Sequence, residues 1–228
     1  MNKNEILKKF RKWKRQYLFR GDVPDAAKVR RAVDKIIDRA KRDKAAGVRT
    51  DRWLFAFESS VEEISDEIAR LKDAGQTEAY REIYAGLYAF AKETMEDSYM
   101  PMYLNIIYRY ACALLETGKA QTGSAEALQA ETALPEQAEA AQEALQLFEK
   151  LYERTDRLIG ISNPYGIHCL EKIARAALQC GQQEKADKAL QEMAAIAEEE
   201  FGPDSAMMQA VLRCTARLTA LRPAALQY

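Results

Sequence analysis

The sequence predicts an all-α protein, and three observations support this prediction. Ala, Glu, Gln, Leu, Lys and Arg, the strong helix formers, dominate the 228 residues. Glycine and proline are scarce, at 10 and 6 residues, which argues against a loop-rich β fold. Apolar residues recur every three to four positions, and no strand-like alternation competes with this helical period. We therefore expect amphipathic helices joined by turns.

The first fifty residues are predicted to form two basic helices. The apolar stripe of the first, over residues 3–20, consists of Ile6, Phe10, Trp13 and Tyr17. Gly21 is a suitable residue to end this helix. The second helix should begin near Pro24 and end at Gly47, with Val29, Val33, Ile36, Ile37 and Ala40 on its buried side.

After these two helices the chain is predicted to form helical hairpins. Ser60 and Glu63 have the spacing of a capping box, so we expect the next helix to start near residue 60 and to end before Gly75. Its partner should start near Thr77. Further helices are expected over 104–118, 144–152, 167–181 and 186–196. Asp204 or Ser205 is a suitable N-cap for a last helix.

The turn residues repeat with a period near forty. Gly75 and Gly118 are 43 residues apart, and Pro164 and Pro203 are 39 apart. Gly118 and Gly181 are 63 apart, and the surplus of about twenty residues falls in 119–140. This segment is rich in Ala, Gln, Glu and Thr, so we interpret it as an insertion between helices that could also extend either flanking helix.

This pattern resembles the tetratricopeptide repeat (TPR) family. Residues that match the family spacing are Ala174, Ala177, Gly181, Ala186, Leu190 and Met193, and the resemblance is best over 104–200. Small residues allow two helices to cross closely, while larger apolar residues fill the adjacent gaps. The resemblance implies antiparallel helical hairpins stacked as a right-handed α-solenoid. A plain helical bundle would give similar stripes and is the alternative.

In the TPR family, the first helix of each repeat lines an inner groove. The residues that this resemblance assigns to a partner-binding groove are Asn105, Tyr108, Cys112, His168, Glu171 and Arg175. The resemblance therefore implies a non-enzymatic adaptor that binds a protein or peptide. The alternative interpretation is a solvated face carrying an ordinary Glu171–Arg175 pair.

Motifs for catalysis or cofactor binding are not found. The sequence has one histidine, His168, and four scattered cysteines without a C-x-x-C pair, so we expect no metal site. It has no Walker loop, G-x-G-x-x-G or G-x-S-x-G motif, so we expect neither an enzyme nor a cofactor. The absence of a long apolar run and the scattered cysteines favour a cytoplasmic protein with reduced thiols.

Charge divides the chain near residue 50, which predicts a basic segment 1–50 and a repeat domain 51–228. The first part has 17 basic and 6 acidic residues, a net +11, and the remainder has 17 and 29, a net −12. Cations predicted to contact a nucleic acid or an acidic partner are Lys8, Lys9, Arg11, Lys12, Lys14 and Arg15. Docking of the basic helices on the acidic repeats as an N-terminal cap is the interpretation that we favour over nucleic-acid contact, and binding to a membrane surface is a further alternative. The second functional hypothesis is a ligand-sensing regulator whose basic helices contact nucleic acid.

Overall fold

The computed structural model describes residues 24–96, 101–120, 135–160 and 164–220. In these ranges the chain forms eight α-helices and no strand, which confirms the all-α prediction. The helices are α1 (Ala26–Ala45), α2 (Thr50–Asp73), α3 (Thr77–Met95), α4 (Pro101–Ala120), α5 (Pro135–Ile159), α6 (Pro164–Gln179), α7 (Gln183–Phe201) and α8 (Ala206–Thr219). The predicted helix over 3–20 and its basic contact residues lie outside the described ranges.

The chain divides into two compact units, Met1–Thr94 and Met95–Tyr228. In the first unit, α1 packs against α2, and Val29 and Val33 of α1 are almost fully buried. Phe57 of α2 and Phe90 of α3 bring their ring centroids to 4.8 Å. The Gln76 side chain donates a hydrogen bond to the carbonyl of Pro24 at 3.0 Å, which ties the α2–α3 turn to the start of α1. The functional division predicted at residue 50 stays a prediction.

The prediction that a helix starts at Ser60 is wrong. Ser60 lies inside α2, where its hydroxyl donates to the carbonyl of Ala56 at 2.7 Å instead of capping a helix. The helix begins ten residues earlier because its buried stripe extends back through Trp53 and Leu54 into the core. An apolar face that packs outweighs a capping signal worth about 1 kcal/mol.

Gly118 does not form the predicted turn. It lies within α4, which continues to Ala120, and the residues between the helices are 121–134, outside the described ranges. A glycine inside a helix costs only about 1 kcal/mol, so it need not end one. The insertion is therefore shorter than 119–140, since α5 already begins at Pro135, a residue well suited to the first helical position.

In the second unit, consecutive helices from α4 to α8 pack against each other, and α6 also contacts α8. Ala174 and Ala177 of α6 and Ala186 of α7 are completely buried, and these two helices pack against each other. Across α5 and α7, the Tyr152 hydroxyl donates to a Glu192 carboxylate oxygen at 2.7 Å. Helices that are separated by one other helix in the chain thus also contact each other. The hairpins therefore stack in two layers, one of α4, α6 and α8 and one of α5 and α7. This arrangement confirms the predicted helical solenoid.

Two glycines of the first unit allow a matched test of backbone conformation. Gly75 follows α2 with a φ of +74°, whereas Gly86 lies exposed inside α3 with nothing within 4 Å of an added Cβ. Gly75→Ala should lower the free energy of unfolding by about 1 kcal/mol, because a Cβ disfavours positive φ. Gly86→Ala should raise it by about 0.5–1 kcal/mol, because alanine is the better helix former. Urea unfolding followed by circular dichroism measures both, and shifts of the same sign would contradict this account.

Candidate functional site

One layer of the second unit presents a continuous polar surface built from three helices. The Tyr108 hydroxyl of α4 lies 2.7 Å from Nε2 of His168 on α6. Glu171, one turn further along α6, accepts a hydrogen bond from Nη2 of Arg217 on α8 at 3.4 Å. These contacts join residues 60 and 46 positions apart in the chain. We call this surface, defined by Tyr108, Tyr165, His168, Glu171 and Arg217, the α4–α6–α8 face.

Aromatic rings cluster where α4 and α6 meet on this face. The Tyr108 ring lies 6.4 Å from Tyr165, 5.8 Å from His168 and 6.1 Å from the buried Phe148, measured between centroids. Phe148 therefore supports Tyr108 from the core, while Tyr165 keeps about a third of its surface exposed (36%). Burial raises the pKa of Tyr165 to about 12 and also raises the pKa of Tyr108, with a contribution from the Cys112 thiol. Both phenols are protonated at neutral pH, as tyrosines ordinarily are, and can donate hydrogen bonds.

His168 connects the aromatic side of the face to the charged side. Its Nδ1 lies 3.2 Å from a carboxylate oxygen of Glu171, while its Nε2 contacts the Tyr108 hydroxyl. In a neutral imidazole this pattern places the proton on Nδ1, which donates to Glu171, and leaves Nε2 to accept from Tyr108. A single hydrogen-bonded chain thus runs from α4 through α6 to Arg217 on α8.

Glu171 is a carboxylate surrounded by cations. Its pKa is held below the usual value, first by the hydrogen bond from His168 and then by the charges of Lys172 and Arg217, against the opposing effect of burial. The Lys172 ammonium lies 3.8 Å from the carboxylate. The exposed fraction of the Glu171 side chain is 18%, whereas that of Arg217 is 69%. The cationic end of this chain therefore points toward solvent and the anionic centre is largely covered.

Only four of the six residues of the predicted groove come together in the structure. Tyr108, Cys112, His168 and Glu171 come together on α4 and α6. The amide oxygen of Asn105 instead accepts a bond from Arg109 at 3.4 Å, on the exposed side of α4.

Arg175 does not form the anticipated pair with Glu171 in the described structure, where Arg217 takes that place. The Nη2 atom of Arg175 is enclosed without a hydrogen-bond partner among the described residues. This guanidinium nitrogen is therefore less accessible to a partner than the sequence alone suggested.

The sequence interpretation missed Tyr165, Lys172 and Arg217. Tyr165 could have been found, because it precedes His168 by three positions and so shares its helix face. Arg217 gave no comparable signal, because its contact with Glu171 depends on how α8 packs against α6.

Cys169, Cys180 and Cys214 do not have the surroundings of a reactive thiolate. All four are free, and Cys169 is fully buried, which raises the pKa of its thiol to about 12. Burial raises the pKa of Cys180 and Cys214 as well. Reactive cysteines have lowered pKa values.

The described residues also contain no cluster of three metal-ligating side chains. None of the helices in these ranges combines the length and apolarity that a bilayer crossing requires.

Comparisons with known proteins add little to this geometry. No protein-family model matches the chain, and no curated protein is significantly similar to it. Among solved structures, the crystal structure of a de novo designed helical repeat protein is 18% identical. The match covers 86% of this chain and 84% of that chain, with a TM-score of 0.27.

Proposed function

We propose that this chain is a non-enzymatic, TPR-like adaptor that binds a protein or peptide segment on the α4–α6–α8 face. The contact between Tyr108 and His168 carries this proposal, because it sets α4 and α6 side by side. Their exposed sides thereby form one surface across several helices, as a partner segment requires.

The residue types on this face suit partner binding. Tyrosine and arginine are enriched among the residues that contribute most to binding at interfaces. Tyr108 is held between Phe148 and His168, so a partner would meet a preformed surface and lose less conformational entropy on binding. The exposed ring of Tyr165 can take an apolar or aromatic side chain, and Arg217 can donate to a carbonyl or carboxylate.

The TPR-like identity is supported by the second hairpin of this unit. Ala174 and Ala177 of α6 and Ala186 of α7 are completely buried, and Gly181 forms the turn between these helices with a φ of +69°. The first hairpin departs from the family pattern, since Gly118 is helical. The resemblance is thus strongest over α6 and α7.

A peptide selection would test the proposed function. A random peptide library displayed on phage is panned against the full chain, and selected peptides are then titrated by fluorescence anisotropy. Tyr165→Ala should weaken binding at least tenfold, because the ring is the exposed anchor of the face. Phe201→Ala is the matched control: Phe201 is equally exposed, at 38%, but lies at the end of α7 in the other layer.

The proposal would be overturned if no peptide were enriched, or if both variants bound the selected peptides with the wild-type Kd. Loss of binding in Phe201→Ala but not in Tyr165→Ala would assign the site to another surface. Circular dichroism of both variants checks that the helices remain intact. We expect this result because both side chains are exposed.

A further inference from the structure

Helix α1, in the first unit, carries a row of cations on its solvent side. Its 20 residues include eight lysines and arginines against three aspartates. Arg31, Lys35 and Arg42 lie within about 40° of each other around the helix axis, over a length of about 16 Å. All three are exposed. Asp38 lies within the same row, so the row is predominantly but not uniformly basic.

The row is held rigidly because the opposite side of α1 belongs to the core. Val29, Val33, Ile37 and Ala40 are buried against the rest of the first unit. On the flanks, Arg30 pairs with Glu82 of α3 at 2.5 Å, and Arg39 lies 3.8 Å from Asp43. These pairs use two cations of the helix and leave the central row with a positive excess.

The electrostatics of the helix itself do not account for this row. A helix N-terminus favours negative side chains and its C-terminus favours positive ones. Arg42 and Lys44 in the last turn follow that preference, but the first turn has no acidic residue, and Arg30 and Arg31 come directly after it. Asp25 caps this end of α1 by accepting a hydrogen bond from the Lys28 amide, and Arg30 is paired with Glu82. The positive excess of the row therefore comes from Arg31, Lys35 and Arg42, and an external anion would complement it.

We propose that the solvent side of α1 binds the phosphate backbone of double-stranded DNA, independently of base sequence. A membrane surface fits less well, because amphipathic helices bind membranes through an apolar face, and that of α1 is buried in the protein. Single-stranded nucleic acid fits less well, because its bases stack on aromatic side chains and α1 has none. The wide major groove of B-form DNA accommodates a helix side, whereas that of A-form RNA is too narrow. This proposal is independent of peptide binding by the second unit.

Titration of labelled duplex DNA with the full chain, at about 50 to 300 mM salt, tests the proposal. The triple variant Arg31→Gln, Lys35→Gln, Arg42→Gln should raise Kd at least tenfold near 100 mM salt. It should also reduce the slope of log Kd against log salt by about 2 to 3, since each lost phosphate contact contributes about 0.9. The control variant Lys92→Gln, Lys188→Gln, Arg213→Gln removes the same charge from exposed positions on other helices and should leave both values unchanged.

Three results would overturn the proposal. The wild-type chain could fail to bind duplex DNA in a salt-dependent way, or bind single-stranded DNA or vesicles with anionic lipids more tightly than the duplex. The two triple variants could lose affinity equally, which would indicate a general effect of net charge. The α1 variant could retain the wild-type Kd, which would place any DNA contact elsewhere in the chain.

Discussion

Truncation of Phe148 to alanine should lower the free energy of unfolding by about 3–5 kcal/mol. Phe148 is completely buried on α5, and its ring contacts the Tyr108 ring at a centroid distance of 6.1 Å. The substitution removes apolar contacts on the inner side of the α4–α6–α8 face and leaves a cavity that rigid helices cannot fully close. Because Phe148 supports Tyr108, peptide binding on this face should weaken as well.

Phe55→Ala is the matched control for this loss. Phe55 undergoes the same chemical change, but 71% of its surface is exposed on α2. Its replacement should change the free energy of unfolding by no more than about 0.5 kcal/mol. Denaturant unfolding with hydrogen exchange to localise the loss measures both variants. Equal losses, or a loss for Phe148→Ala below about 1 kcal/mol, would show that the core of the second unit does not pack as the structure has it.

Enlargement of Ala177 to leucine should also destabilise the protein, by about 1–3 kcal/mol. Ala177 is completely buried, as are Ala174 and Ala186, on two helices that pack against each other. Small side chains of this kind allow helices to approach closely. Leucine adds three carbons to a completely buried site, which we expect to separate the helices or to force unfavourable rotamers. Leucine is nearly as good a helix former as alanine, so helix propensity cannot account for such a loss.

Ala210→Leu makes the same substitution on the exposed side of α8 and serves as the control. It should leave the midpoint of thermal unfolding nearly unchanged, whereas Ala177→Leu should lower it by several degrees. A midpoint for Ala177→Leu equal to that of the wild type would mean that the α6–α7 crossing has room for a larger residue. That result would remove the main structural support for a TPR-like packing.

Helix type and several helix ends could be predicted from the sequence because they depend on neighbouring residues. Gly47, Gly75 and Gly181 follow helices with positive φ, as their positions after apolar stripes indicated. Ser205 caps α8 by accepting a bond from the Met208 amide at 3.0 Å. In each case the conformational freedom of glycine or the reach of a short side chain acts within one turn.

Ser60 and Gly118 show where such local signals fail. Serine is a common capping residue and glycine a common residue at helix ends, yet both Ser60 and Gly118 lie inside helices. At Ser60 the buried stripe through Trp53 extends the helix past the capping signal, since burial of a large aromatic side chain contributes more than a cap. Local preferences of about 1 kcal/mol decide a boundary only where tertiary packing does not oppose them.

The sequence by itself determined that this chain is helical, that its hairpins repeat, and that His168 and Glu171 share one side of a helix. Only the tertiary structure decided that the Tyr108 hydroxyl meets His168 and that Arg217, instead of Arg175, pairs with Glu171. The physical reason is the separation along the chain of the residues that each interaction joins. Helical periodicity arises from hydrogen bonds between residues four apart, whereas contacts between α4, α6 and α8 depend on how side chains interlock across whole helices.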